Sequence, residues 1–355
     1  MISSGVDRAV DSAAFFTGSL TATNPALSTL VTRPPAPVGY PAGAPVVQPA
    51  GTNRFLLYFH KLVPGTDLVT DPADRYYQTY QDSQAFQAYA SNADLAAKVT
   101  AVLADPAVVT ASRTILEGLF DRTFVDKLAN GTYTFANTGT FTFTSDDGTF
   151  TTTLTGDGKT KVKNLPDAAS MLYNLYVVAP ALTAEAGVDF TKYLPAAQAQ
   201  VLAYLQDAQD FYQMGPGIQE ANPVTYQMAQ ALADDFFAEI DAIAAGDLSH
   251  AAKLRFTHAE IVVPFANLLG LQGAATAVAE AATYTYATNP WRGEMVSQMA
   301  TNQQWEVFRD GAGTVLVRLL YNEKEIDFKP ACAPARYLPN THFYEYRALK
   351  ACYGR

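Results

Sequence analysis

Apolar positions change period along this chain, and the changes mark out its elements. Val10, Ala13, Ala14 and Thr17 share one face at helical spacing, so residues 5–20 read as a loop leading into a helix. The run Arg-Phe-Leu-Leu-Tyr-Phe at 54–59 reads as a strand. From 71 to 127, Ala85, Tyr89, Ala93, Leu95, Val99, Val102 and Leu103 suit amphipathic helices. The period then shortens to two. Residues 132–135 and 140–143 alternate polar and aromatic side chains, with tight-turn pairs at Asn130-Gly131, Asp147-Gly148 and Asp157-Gly158. That pattern predicts a small antiparallel hairpin insert with Phe135, Phe141 and Phe143 on its buried face. Helical spacing resumes at Pro166, predicting helices over 168–178, 196–214 and 224–244. Residues 254–256 read as a short strand. The apolar run 261–271 is long enough for a helix and carries a glycine at its C-cap. Residues 315–321 form a β-branched, apolar strand. Prolines from Pro34 to Pro49 mark an extended, exposed connector, and the aromatic tail from Cys332 to Cys352 is expected to pack back on the body.

Composition narrows the classes. With 355 residues and 49% hydrophobic side chains, the chain can bury a sizeable core. A formal net charge of -10 argues against nucleic acid as a general partner, while leaving room for a local basic pocket. No uninterrupted apolar run is long enough for a transmembrane segment. Met1 to Gly5 has neither a basic segment nor an apolar one, so no signal peptide is visible. Cys332 and Cys352 can pair if the chain is exported, but two thiols do not fix a compartment. No Cys/His cluster has zinc-ligand spacing.

The candidate chemistry lies in His258-Ala259-Glu260, where a strand hands over to a helix. Open α/β sheets hold ligands just beyond the carboxyl ends of their strands, and a helix N-terminus offers free N–H groups to an anion. A histidine and a glutamate at this spacing supply one phosphate donor and one proton source. The same spacing also suits an ordinary solvated loop, and spacing alone leaves both readings open. Arg8 begins the first helix, where a cation opposes the helix dipole unless an anion meets it. A plain surface arginine is the alternative. Asp207 and Asp210 read as solvated or fold-holding, Tyr76, Tyr77 and Tyr80 as packing or surface aromatics, and His250 as exposed.

The run Leu254-Arg255-Phe256-Thr257-His258-Ala259-Glu260, with Pro264 and Leu268-Leu269-Gly270-Leu271 behind it, resembles the C-terminal motif of the histidine acid phosphatases. More narrowly it resembles the multiple inositol polyphosphate phosphatase branch, which carries His-Ala-Glu where most relatives carry His-Asp. Arg8 followed by Ser12-Ala13 and Phe16 is similar to the family's second motif. Residues 206–212 with Gly215-Pro216-Gly217, and Leu319-Leu320-Tyr321-Asn322-Glu323-Lys324, are similar to further segments of the same branch.

The resemblance implies an α/β fold with a mostly parallel sheet flanked by helices. Residues 1–62 and 250–355 would form the phosphatase core. Residues 63–249 would form a mostly helical cap, with the hairpin insert at 130–163 lacking a family counterpart. It further implies phosphomonoester hydrolysis through a phosphohistidine, with inositol polyphosphates such as phytate as substrates and no metal or cofactor. Arg8 would clamp the phosphate, His258 would donate to it, and Glu260 would be the general acid. The full-length protein would be extracellular or luminal. One departure stands out. The family nucleophile lies in Arg-His-Gly-x-Arg-x-Pro, but the histidines here are His60, His250, His258 and His342, and none follows an arginine. A fragment lacking the first segment and first sheet strand is the leading expectation. A non-catalytic inositol-phosphate-binding relative, or a substitute nucleophile such as His60, are the alternatives. His60-Lys61 also stand where relatives often have a cysteine. A surface or cell-wall binding protein, suggested by threonine-rich hairpins and acidic charge, ranks last.

Overall fold

The computed structural model describes residues 1–31, 53–144, 148, 151–187 and 189–355, so the proline-rich connector lies outside the described residues. The chain opens with a two-residue strand, β1 (Ile2–Ser3). Gly5 turns it at φ 76°, a left-handed conformation that side chains with a Cβ resist, and α1 (Asp7–Thr23) follows. Ala9, Val10, Ala13 and Thr17 are buried and Ala14 is half-buried, close to the predicted stripe.

The strand expected at 54–59 is instead a helical turn, α2 (Arg54–Leu57), followed by a 3-10 turn (Phe59–Lys61). The cause is local. Arg54 grips both oxygens of Asp67 at 2.7 Å and donates to the Lys61 carbonyl, while the Val63 N–H also donates to Asp67. That knot coils the segment on itself. Leu57 and Phe59 still reach the core, so the apolar run is satisfied without a ladder.

Helices follow as expected: α3 (Tyr77–Ala90), α4 (Ala93–Leu103), α5 (Pro106–Glu117) and α6 (Arg122–Ala129). Asp105 and Asp121 cap the last two by accepting from Ala107 and Phe124 N–H groups. The hairpin region holds β2 (Phe135–Ala136), β3 (Thr140–Thr144), β4 (Thr151–Thr155) and β5 (Lys161–Val162), with β3 antiparallel to β4 and β2 to β5. Its expected buried face is not buried: Phe135, Phe141 and Phe143 are 50%, 63% and 45% exposed. Alternation sets the strand period, but a two-stranded ribbon has no second layer to cover either face.

After α7 (Leu165–Ala186) and α8 (Ala196–Gln213), the run expected from 224 begins with a 3-10 turn at Gln227–Ala229 and continues as α9 (Gln230–Ala244). Then come β6 (Arg255–Phe256), α10 (Ala259–Leu268), α11 (Gly293–Val296), β7 (Gln303–Arg309), β8 (Val315–Tyr321), β9 (Lys324–Ile326), β10 (Phe343–Glu345) and α12 (Tyr346–Cys352). Gly270, at φ 65°, closes the turn after α10, where a Cβ would meet the Lys329 side chain at 2.9 Å.

The α/β class holds, but the parallel part is small. β1 pairs parallel with β6, Ile2 opposite Arg255 and Ser3 opposite Phe256. The larger sheet is antiparallel: β8 pairs with β7, β9 and β10. Val315, Val317 and Leu319 bury alternate positions of β8, as its period requires.

The chain divides into two compact units, residues 1–95 with 210–355, and residues 96–209. The expected cap, 63–249, extends beyond the second unit at both ends. In the first unit, Trp305 packs against Phe236, Phe237 and Phe328, and Phe211 stacks on Tyr284 at 4.3 Å. The tail packs back here as expected. Cys332 and Cys352 are disulfide-bonded, and buried Tyr346 donates to the Phe237 carbonyl. The second unit has its own core of Leu116, Val125, Leu128 and Leu165, flanked by Phe124 and Leu172. Among the described residues no single helix is long and apolar enough to cross a membrane.

Candidate functional site

β1 and β6 run side by side in the same direction, and each feeds a helix just past its carboxyl end. That topology brings the first turns of α1 and α10 to one crevice, although they stand far apart in sequence. Lys253 and Arg255 anchor the β6 side through Asp235 and Glu239 of α9. Thr257 Oγ1 donates to the Leu57 carbonyl at 2.9 Å, two hundred positions away along the chain. This bond ties the α2 segment to the turn before α10.

His258 is the N-cap residue of α10, extended at φ -140° and ψ 175°, and its carbonyl accepts from the Ile261 and Val262 N–H groups. Glu260 lies in the first turn, where the helix dipole favours a carboxylate. The structure brings the three sequence-derived residues together around that carboxylate. Arg8 Nη2 stands 3.9 Å from one Glu260 oxygen, and His258 Nδ1 stands 3.4 Å from the other. The Arg8 side chain is 65% exposed, while that of His258 is only 5% exposed.

A fourth residue joins them from the 3-10 turn at Phe59–Lys61. The His60 ring lies 5.5 Å from that of His258, with Tyr58 packed against both. Sequence inspection named His60 only as an alternative nucleophile, and noted a histidine where similar proteins often have cysteine. Nothing in local spacing pairs it with His258, because the Thr257–Leu57 bond and the coiling by Arg54 and Asp67 make that approach.

Burial drives the His60 imidazole down to about 3, only partly opposed by the Glu260 charge, with His258, Lys61 and Arg8 lowering it further. His258 holds the Glu260 carboxyl down to about 2 against the upward push of burial. The His258 Nδ1 contact with that carboxylate is long, at 3.4 Å, and not well aligned for a hydrogen bond. The ionised carboxylate stands between the Arg8 guanidinium and the His258 ring.

Other residues singled out from sequence do different work. Asp207 is buried, in keeping with a fold-holding role rather than a solvated one. Tyr80 is buried and Tyr76 stacks on Phe55, so these tyrosines are packing residues. His250 is exposed and meets Glu239 at 3.0 Å. Two surface cavities, of about 500 Å³ lined by Lys159, Lys161 and Lys163, and of about 250 Å³ lined by Tyr89 and Ile218, include none of the four clustered residues.

Residues 135–322 match the histidine phosphatase superfamily (branch 2). The match begins inside the hairpin segment. The chain is 33% identical to a solved Bifidobacterium longum multiple inositol polyphosphate phosphatase in complex with inositol hexasulfate. The TM-score is 0.79, over 99% of this chain and 71% of that one. The apo form of the same enzyme gives 32% identity and a TM-score of 0.79, covering 99% of this chain and 72% of that one. Its phosphate complex gives 32% and 0.77 over the same shares, 99% and 72%. No curated protein matches.

Proposed function

This chain belongs to the histidine phosphatase superfamily, branch 2, and from that premise we propose that it carries the phosphate-holding and proton-donating part of a phosphomonoesterase site directed at inositol polyphosphates. The observation that carries the reading is the meeting of Arg8 and His258 at Glu260. A phosphate ester would displace the carboxylate from Arg8. The planar guanidinium takes two phosphate oxygens at once, and the buried His258 imidazole donates to a third. Glu260 then faces a dianion instead of a guanidinium. Like charge raises its affinity for a proton, which it can pass to the leaving alcohol oxygen. The carboxylate beside Arg8 and His258 thus becomes an acid when a phosphate ester binds.

The family's phosphoryl acceptor, the histidine of an Arg-His-Gly motif, has no match in this sequence. That favours a second reading, in which the chain binds inositol phosphates without turning them over. Phosphate release from inositol hexakisphosphate at acidic pH, measured for this chain and for one extended upstream with Arg-His-Gly-x-Arg-x-Pro, separates the two. Calorimetry with the same compound should show binding, weakened roughly ten- to hundredfold by Arg8→Ala through loss of charged hydrogen bonds. A chain that neither binds nor cleaves it defeats both readings. The Cys332–Cys352 disulfide supports an extracellular or luminal setting, since such bonds persist in oxidising compartments.

A further inference from the structure

We propose that His60 is a positioning residue for the general acid, its ring holding Glu260 by a hydrogen bond once a phosphate group has taken Arg8 away. The inference rests on the phosphatase reading above and deepens it. A ring nitrogen of His60, one of His258 and a Glu260 oxygen lie within 4.8 Å of one another. They come from the turn at Phe59–Lys61, the N-cap of α10 and its first turn. A hydrogen bond of about 2.8 Å needs the gap between His60 and the carboxylate to close by at most about 2 Å. Glu260 has the freedom to supply that movement, with its side chain 34% exposed, whereas His60 is only 4% exposed.

The ring itself is held in place. Tyr58 packs on it with 4.7 Å between ring centroids, and His258 with 5.5 Å. The Arg54 guanidinium lies 4.7 Å from the Tyr58 ring centre and is gripped by Asp67, which anchors that wall. Burial keeps the His60 imidazole uncharged, so it carries one N–H and one bare nitrogen. Its Nδ1 has no hydrogen-bond partner among the described residues. Buried polar atoms are normally satisfied, and one left without a partner in a native fold calls for a reason. A fixed, neutral ring within a short swing of a mobile carboxylate gives that reason, because its partner comes into place with the substrate.

Arg8, at 3.9 Å, and His258, at 3.4 Å, share the Glu260 carboxylate, and both contacts are too long to fix its orientation. A phosphate that engages Arg8 and His258 leaves His60 as the neighbour able to do so. Glu260, His258, Lys61, Arg8 and Tyr58 all face the His60 ring, and among them Glu260 is the carboxylate that an N–H meets best. Bonded to the ring through one oxygen, the carboxyl presents the other, with its proton, to the leaving group, and such orientation is a large part of what makes a positioned acid effective. A His60 that only fills space beside Tyr58 would be blind to phosphate.

The test uses the full chain with nitrogen-15 in its histidine rings, followed by NMR at neutral pH as inorganic phosphate is added, with phosphate binding measured in parallel by calorimetry. The chain has four histidines, and the signals missing from His60→Phe, or from His60→Gln should the first variant not fold by circular dichroism, are those of His60. Phosphate should shift them, although the ring is buried. Arg8→Ala, which releases Glu260 without any anion, should shift them in the same direction with no phosphate present. Adding Glu260→Ala should abolish each shift, and His250→Ala and His342→Ala should leave each in place. Phosphate bound with His60 unmoved, Arg8→Ala without effect on it, or a shift that survives Glu260→Ala overturns this inference and leaves the phosphate site standing. A chain that binds no phosphate overturns the site and the inference together.

Discussion

Glu260 is a carboxylate with two partners and a changeable charge environment. Its folded affinity for protons is depressed to about 2, mainly by His258, so its interactions stabilise the fold above the ordinary carboxylate range. That stabilisation fades progressively as pH falls from the ordinary glutamate value of 4.5 to about 2. In carbon-13 NMR of labelled protein, its carboxyl should titrate well below the normal glutamate value. Saturating inorganic phosphate should move it upward, and a carboxyl unmoved by phosphate removes the acid role. His60 works in the opposite sense. Its depressed proton affinity comes first from burial, with Lys61, His258 and Arg8 adding to it and Glu260 opposing it. Between about pH 6.5 and 3 the unfolded chain takes up a proton that the folded one refuses, so acid lowers stability here. One such proton contributes up to about 1.4 kcal/mol per pH unit. His60→Gln should flatten the slope of unfolding free energy across that window, read by urea denaturation. A slope identical to the parent's contradicts the buried, neutral imidazole.

Elements with a strong period were legible from the residues. β8 occupies the predicted 315–321, and α10 follows its apolar run, because alternation and the 3.6 repeat are written into the side chains. α2 was not legible. Its apolar run suits a strand equally well, and the choice was made by Asp67, thirteen residues away, through Arg54. The hairpin shows the converse, with correct period but wrong burial. That difference is measurable. Phe141→Thr, on an exposed ribbon, should cost less than about 0.5 kcal/mol, whereas Leu116→Ala or Leu128→Ala in the helical core should cost roughly 2–5 kcal/mol. Chemical denaturation of the three variants checks this. A large loss from Phe141→Thr would mean that the ribbon is covered in solution.

At the scale of the molecule, β1 pairs with the distant β6, Ile2 opposite Arg255, and the tail is closed on itself by Cys332–Cys352. The bridge spans a sequence separation of 20, and a loop of that order contributes about 3 kcal/mol by restricting the unfolded chain. Cys332→Ser should lose roughly that amount in urea unfolding, and reductant should lower the parent to the same level. Equal midpoints with and without reductant contradict it. Phe328, packed on Trp305, also meets Tyr344 and Tyr353 of this tail, so the loss should show as a shift of that unit's transition.

The amino-acid order alone determined the long helices and β8, which depend on neighbours within a few positions, where period and local chemistry suffice. The α/β class and the grouping of Arg8, His258 and Glu260 came from resemblance to a known family, not from spacing. Tertiary structure decided which of those residues touch, that the larger sheet is antiparallel, and that His60 belongs beside His258. Such pairings are made by side chains that meet only after the backbone closes. Arg54 with Asp67 and Thr257 with Leu57 leave no periodic trace for a one-dimensional pattern to carry.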